Sequence, residues 1–571
     1  MALSDNPTIG PFLGRTRFAY FTMELAINSA IHTYSGGLGV LAGDTARACA
    51  DLELPIVFVT LVSRRGYLKQ IIDEKGRQID EEDPWDPSAY CAPLRAKVGF
   101  QIEGRDVWVR PWLNVIKSPL GYPVPIVLLD TDLEENHPDD RRITDRLYGG
   151  DDEYRLKQEI VLGICGRRML AALGFTINTF HLNEGHAALL ALDLLRRYPR
   201  AQDQTKPNEI HYDIPRVREM CIFTTHTPVE AGHDRFPYPL VQRLIDGYFD
   251  WTQLRHLAGE HGLNMTHLAL RLSGYVNGVA VRHAKTTERM FPGYRIRAVT
   301  NGVHLPTWVS PAIRDVLNEF LPYWAHEPEI LNQADQIPPE RIWQAHRKDK
   351  AALIDFVGNA SGLKLDIEQP IIGYARRMTA YKRPELIFSD LDRLARIARR
   401  FPFQIVLAGK AHPRDDSGKA HIQAIHEHIR QLAGKVPVAF LPGYDLDLAK
   451  SLVSGVDVWL NTPVPPLEAS GTSGMKAALN GVLNLSMLDG WWIEGCIEGV
   501  TGWGIGTDHH EIPESEAALA LYAKLEEVVL PLYYGDRAAW MVMMRSAISK
   551  IASYFNTHRM MRRYVAEAYV R

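Results

Sequence analysis

Cysteine, net charge and long apolar runs are all scarce in this chain, and each scarcity removes a class of protein. Five cysteines (Cys49, Cys91, Cys165, Cys221 and Cys496) are scattered through 571 residues without a CxxC pair. That spacing excludes a disulfide framework and a zinc ribbon. Lysine plus arginine number 64 against 68 aspartate plus glutamate, a net charge of −4, which gives no electrostatic footprint for nucleic acid. The basic cluster at 196–200 reads as a helix end, where cations complement terminal carbonyls. A charge-free stretch, residues 25–43, is interrupted by Asn28, Ser29, His32, Thr33, Ser35 and four glycines, so it cannot span lipid. The N-terminal MALSDNPTIGPF lacks the charged and apolar regions of a secretory signal. No low-complexity segment or short-period repeat is present. The chain reads as cytoplasmic, with neither membrane nor nucleic acid as a partner.

What is present is a large core. Hydrophobic residues make up 46% and charged residues 23%, as in packed α/β proteins. Short apolar runs alternate with amphipathic stretches, the pattern of parallel sheets covered by helices. Strands are predicted at 18–21, 56–60, 126–129, 179–182, 220–224 and 297–300, with a hairpin of 97–100 and 107–109 around Gly104. Helices are predicted at 41–52, 154–173 and 185–197. Further strands at 371–374, 404–408, 438–440, 456–460 and 482–485 alternate with helices, and 541–554 repeats helical spacing. The expectation is two facing Rossmann-like, doubly wound units, 1–302 and 303–571, joined near 302–308. The C-terminal helices are candidates to cross back. Ligands of such sheets bind beyond the carboxyl ends of the strands.

The unusual residues fall at those ends. SGGLG (35–39) precedes a helix and is either a tight helix entry or an anion site. RRMTAYKR (376–383) follows a core strand and holds four cations in eight residues, a repulsive cluster that an oxyanion would relieve. In EASGTSGMKAALNG (468–481) a carboxylate, a loop of small residues and a helix-borne Lys476 follow one another. Lys476 is either a snorkelling surface lysine or a desolvated amine suited to an aldehyde. LNEGH (182–186) and THTP (225–228) place His186 and His226 at strand-to-helix junctions. No metal-ligand spacing accompanies them, so no metal is expected.

Together with RLKQE (155–159), HTPVEAGHDRF (226–236), VNGVA (276–280) and TNGVHLPTW (300–308), these segments resemble the α-glucan (glycogen, starch and maltodextrin) phosphorylase family, short prokaryotic branch. The resemblance implies a GT-B glycosyltransferase architecture with an interdomain active-site cleft. It implies pyridoxal 5′-phosphate bound as a Schiff base to Lys476, near Trp308 and Tyr444, its phosphate held by Thr472, Ser473 and Arg376. Arg377, Lys382 and the backbone of Gly37, beside the cofactor, would bind the substrate phosphate, with Leu38 adjacent. Glu468, Ser470, Gly471, Asn301, His226 and Asp152 would grip the terminal glucosyl unit, with His186 close by. Arg377, Lys382 and His226 would be the catalytic set. The implied reaction is retaining phosphorolysis of α-1,4-glucan by inorganic phosphate to α-glucose 1-phosphate, with the cofactor phosphate as proton relay; the family is usually a homodimer.

The chain also departs from the long enzymes of that family. Asp445 stands where they carry an arginine, Thr379 where they carry a histidine, and Asp152 where they carry an asparagine. The stretch between Tyr148 and Arg155 is too short for their gate, and the N-terminal segment has no counterpart of the animal regulatory helices. Two rival readings remain at this stage, a nucleotide-sugar-dependent glucan synthase and a non-catalytic glucan-binding protein. Lys476 argues against the first, and the retained set Arg377, Lys382, Glu468 and Lys476 against the second.

Overall fold

The computed structural model describes residues 8–118, 120–200, 211–507 and 512–570. Residues 1–7 of the segment read for a secretory signal lie outside the described residues. The chain forms two large sheets. The parallel part of the first runs, in space, Arg297–Ala298, Tyr275–Gly278, Cys221–Thr224, Thr179–Asn183, Phe18–Phe21, Ile56–Leu61 and Pro123–Asp130. The second is parallel throughout, in the order Val438–Leu441, Gln404–Ala408, Ile371–Ala375, Val458–Asn461, Leu483–Met487 and Gly502–Ile505. Each winds outward in both directions from its own first strand. Each therefore has a switch point, between Phe18–Phe21 and Thr179–Asn183 and between Ile371–Ala375 and Val458–Asn461, where a crevice opens beyond the strand ends. Neither sheet closes into a barrel, and the fold is the doubly wound α/β architecture expected.

Most predicted strands are present within a residue or two. The hairpin is larger than predicted. Its second strand, Arg105–Lys117, runs on to pair antiparallel with Pro123–Asp130, across Arg110, Pro111 and Asn114, which interrupt the apolar alternation. Two strands of the parallel sheets were not foreseen, nor were the short antiparallel pairs such as Lys69–Ile72 with Gln78–Glu81. Tyr275–Gly278 ends in Asn-Gly and reads as a turn, while Gly502–Ile505 contains two glycines, which weaken any strand signal. The predicted helix 185–197 is a turn, Gly185–Ala187, followed by Leu189–Leu195.

The end of the chain lies on the first sheet. Met560, Met561, Tyr564 and Tyr569 share a core with Tyr20, Phe58 and Leu128, and the Tyr569 hydroxyl is 2.7 Å from His181 Nδ1. Three distant segments meet at Asp51, whose Oδ2 lies 2.7 Å from both His304 Nε2 and His558 Nε2. A polar arm, the hairpin Lys69–Ile72 and Gln78–Glu81, reaches the second sheet's loops. Gln70 donates to the Gly409 carbonyl at 2.8 Å and accepts the Gly443 N–H at 2.9 Å. The hairpin thus ties the first half of the chain to the loops that follow Gln404–Ala408 and Val438–Leu441.

Candidate active site

The second sheet supplies the cations. Arg376 and Arg377 follow strand Ile371–Ala375, at the switch point. Glu468 hangs from the loop after Val458–Asn461, and its Oε2 accepts from Arg376 Nη2 at 2.6 Å and Lys382 Nζ at 2.5 Å. Burial alone would raise this carboxyl, but the two cations hold it down at about 2. Among the described residues Glu468 is the one hydrogen-bond partner of the Arg376 side chain: its Nε and Nη1 are buried without a hydrogen bond. Unmade bonds from a buried guanidinium are costly, so the fork is built for a further acceptor. Arg377 keeps accessible surface and reaches across to the first sheet's glycine loop. A Cβ on Gly36 would lie 3.3 Å from its Nη2. Arg383, the fourth cation of the cluster, is buried and donates to the carbonyls of Thr462 and Pro463, both at 2.8 Å. It shapes the loop instead of lining the site.

Lys476 sits on the short helix Ser473–Leu479 and is buried, its Nζ 3.8 Å from the centroid of the Trp308 ring. Trp308 is fixed in turn by its indole N–H, which donates to Asp44 Oδ2 at 2.7 Å. Burial pushes the Lys476 amine down to about 8, with Asp44 opposing. It is the desolvated amine, not the snorkelling one. Ser473 Oγ accepts the Trp459 indole N–H at 3.0 Å, and Thr472 precedes the helix with its side chain not engaged in capping. Tyr444 is half-buried and faces Arg376 electrostatically. Asp445, where a cation was missed, caps the helix Leu446–Gly455 by accepting from the N–H groups of Asp447 and Leu448 at 3.1 and 2.8 Å.

The first sheet supplies neutral groups. Gly37 and Leu38 open the helix Gly37–Asp51, which has no side-chain cap, so its leading N–H groups carry their partial positive charge without a capping side chain. Glu24 shapes this loop. Its Oε2 accepts from Ser35 N at 2.6 Å and Gly36 N at 3.1 Å, and its Oε1 from the Tyr148 hydroxyl at 2.9 Å. A Cβ on Gly39 would fall 2.6 Å from Glu24 Oε2, which is why that position is glycine. His226 follows strand Cys221–Thr224, and its Nε2 lies 2.6 Å from Asn183 Oδ1. Its backbone N–H donates to Glu184 Oε2 at 2.7 Å. Glu184 itself holds φ at +69°, a strained conformation for a side-chain-bearing residue and one concentrated at functional sites. His186 Nε2 is 3.5 Å from Asp234 Oδ2. Burial lowers both histidines to about 3, so each is neutral at physiological pH. His186 Nδ1 and Asn301 Oδ1 are buried with no partner. Asp152 lies exposed in the first turn of the helix Asp152–Ile160. Ser470 is buried and Gly471 adopts φ +79° against Glu468.

A sequence profile described as carbohydrate phosphorylase matches residues 249–502. Maltodextrin phosphorylase of Thermococcus litoralis is 39% identical over 96% of this chain and 70% of that protein. Glycogen phosphorylase of Aquifex aeolicus is 36% identical over 96% of this chain and 85% of its own length. The corresponding protein of Mycobacterium tuberculosis is 35% identical, with 97% and 71% covered. The chain belongs to the carbohydrate phosphorylase family.

Sequence reading missed several groups that shape this phosphorylase site. Glu24, Asp44, Tyr148 and Glu184 each stand beside a recognised residue and orient it. For the three acidic groups the available signal was a lone carboxylate in an otherwise apolar or glycine-rich stretch, as in FTMELA (21–26). Among the described residues, no helix of this phosphorylase is long and apolar enough to cross a membrane.

Proposed function

We propose that this protein cleaves the terminal α-1,4 linkage of a maltodextrin or glycogen chain with inorganic phosphate, releasing α-glucose 1-phosphate with retention, and that it holds pyridoxal 5′-phosphate at Lys476. Relatives named maltodextrin and glycogen phosphorylase support the reaction class. The observation that carries the reading is the pairing of two features. One is a buried, weakly basic Lys476 over Trp308; the other is an Arg376 fork with two unpartnered donors. An aldehyde needs an uncharged amine and a phosphate needs guanidinium donors, so the donor set fits the cofactor. Thr472 and Ser473 would complete its phosphate cradle beside Tyr444.

When bound, the cofactor supplies a phosphate group that can exchange a proton with the substrate phosphate. Arg377, Lys382 and the N–H groups at Gly37 would hold that substrate phosphate and offset the charge of two neighbouring phosphates. A proton passes from the substrate phosphate to the glycosidic oxygen as the C1–O bond breaks. A phosphate oxygen then bonds to C1 on the same face. The first sheet's side holds the sugar. His226, neutral and donating through Nε2 to Asn183, keeps Nδ1 free to accept from a hydroxyl, and Asn301 Oδ1 and His186 Nδ1 are unpaired acceptors or donors of the same kind. Glu468, Ser470 and Gly471 close the opposite side, with Asp152 and Leu38 at the rim. A neutral histidine with so low a pKa cannot be the acid at neutral pH. The test is to incubate purified protein with maltodextrin and measure glucose 1-phosphate with and without phosphate. Product that requires phosphate is expected; its absence, with cofactor present, overturns the reading.

A further inference from the structure

The loop after strand Leu483–Met487 has two faces. Its inner face pins the segment that carries Glu468. Asp489 Oδ2 accepts the Glu468 N–H at 2.9 Å, its Oδ1 accepts the Gly490 N–H at 2.8 Å, and the Trp491 N–H donates to the Ser470 carbonyl at 2.9 Å. Gly490 holds φ at +54°, and a Cβ there would meet the Ser470 carbonyl oxygen at 2.3 Å. The approach is therefore as close as a backbone allows.

Its outer face is held by the first sheet's helix Val281–Met290. Arg282 Nη1 donates to the Leu488 carbonyl at 3.2 Å, and its Nε lies 3.7 Å from Asp489 Oδ1. Glu494, in the one-turn helix Trp492–Gly495 that continues the loop, accepts from Val281 N at 2.9 Å and Thr300 Oγ1 at 2.7 Å. Thr300 precedes Asn301, one of the sugar-facing groups. Both edges of the candidate sugar site are thus tied to one loop, and that loop crosses between the two sheets.

We infer that Arg282 and Asp489 are positioning residues for the glucan: Arg282 docks the loop on the first sheet, and Asp489 passes that placement to the backbone of Glu468–Ser470. The inference rests on the glucan reading above. Neither residue touches the reacting atoms; of the groups on the phosphate side, Arg377 and Gly37 are outside this set of bonds, and Lys382 meets it only through the Glu468 carboxylate, not through the Glu468 backbone that Asp489 holds. Burial pushes the Asp489 carboxyl up to about 6, against the pull of its two N–H donors. The charged groups facing it are Glu468 from one side and Arg282 from the other, with Arg376 and Lys382 bound to the carboxylate of Glu468 and Glu494 farther along the loop.

The test is maltoheptaose affinity of the holoenzyme by calorimetry, alongside the KM for phosphate, for wild type, Arg282→Ala, Arg282→Lys and the isosteric Asp489→Asn. Arg282→Ala and Asp489→Asn should weaken glucan binding about tenfold, within the usual span of coupling between sites, and leave the phosphate KM within about twofold. Arg282→Lys should recover part of the loss. Wild-type affinity should fall as pH drops through about 6, because the ionised Asp489 is the competent form. Arg282→Ala should move that fall to higher pH, and Asp489→Asn should abolish it. Unchanged glucan affinity in both variants overturns the inference. So does a parallel rise in both constants with a lowered melting temperature, which would mean general loosening. Wild type that binds maltoheptaose but makes no glucose 1-phosphate sinks the proposed reaction and leaves these binding comparisons decisive; wild type that binds none overturns both.

Discussion

The strand-end loops of the two sheets differ in the partners they give to their ionisable groups. On the first sheet, burial outweighs the charged neighbours Arg155 and Asp234. His186 and His226 fall to about 3 and lose their charge, while Glu184, held by backbone and hydroxyl donors, is pushed up. On the second sheet, burial meets two cations, and Glu468 is driven down to about 2. Two glutamates at equivalent strand ends therefore shift in opposite directions. Desolvation acts on both, and the partner decides the sign. The lesson is a division of labour: an uncharged wall suited to sugar hydroxyls opposite a cationic wall suited to phosphates.

The largest effect should come from the cationic wall. Lys476→Ala should abolish covalent cofactor uptake and lower phosphorolysis on the order of 10³-fold, the range for losing a proton-transfer group, while the chain stays folded. Absorbance of the bound cofactor and glucose 1-phosphate release read the two effects. A fully active variant without cofactor would end the assignment. Next, Arg377→Ala removes a cation that keeps accessible surface at the cleft, a change of about 1.5–3 kcal/mol for a hydrogen bond to a charged group. It should appear as a raised phosphate KM with glucan affinity retained. An unchanged phosphate constant and turnover would mean that the anion lies elsewhere.

His226→Ala probes the other wall. Losing one neutral hydrogen bond is worth about 1 kcal/mol, so the glucan KM should rise several-fold and the phosphate KM should not. If His226→Ala instead raised the phosphate constant, the division between the walls would fail.

How much of this was legible beforehand varies with the kind of signal. Both sheets could be read because buried parallel strands are continuous apolar runs, as in Ile371–Ala375 and Gln404–Ala408. Tyr275–Gly278 could not, since its four residues end in a turn-like Asn-Gly and its strand character comes from the neighbours it pairs with on both sides. In the candidate site, Lys476 and the 376–383 cations announced themselves as charges in apolar or crowded settings. The environment that decides what they do was not local. Asp44 lies more than 260 residues from the Trp308 it fixes, and Glu24 stands beside Tyr148 only in the fold. The four-cation cluster also looked uniform in sequence, whereas Arg383 is spent on two loop carbonyls. Spacing locates chemically unusual residues; only packing separates the groups that face the cleft from those that hold its frame.

The smallest expected effect is also the sharpest test of the comparison, because Lys476, unlike Arg376 and Arg377 beside it in the candidate site, is lowered by burial as the histidines are. It belongs to the cationic wall, yet burial over Trp308 brings its amine to about 8, against an ordinary lysine near 10.4. Only the uncharged amine can attack an aldehyde. The fraction of competent amine therefore grows as pH rises toward the lowered value and saturates above it. Uptake of pyridoxal 5′-phosphate by cofactor-free protein should quicken roughly fivefold between about pH 7 and 8 and level off above about pH 9, where an exposed lysine would still gain about sevenfold up to about pH 10. Stopped-flow absorbance of cofactor binding gives the profile directly. A rate that keeps climbing above about pH 9 would place Lys476 in water, and with it would go the idea that burial, and not a neighbouring charge, prepares this amine.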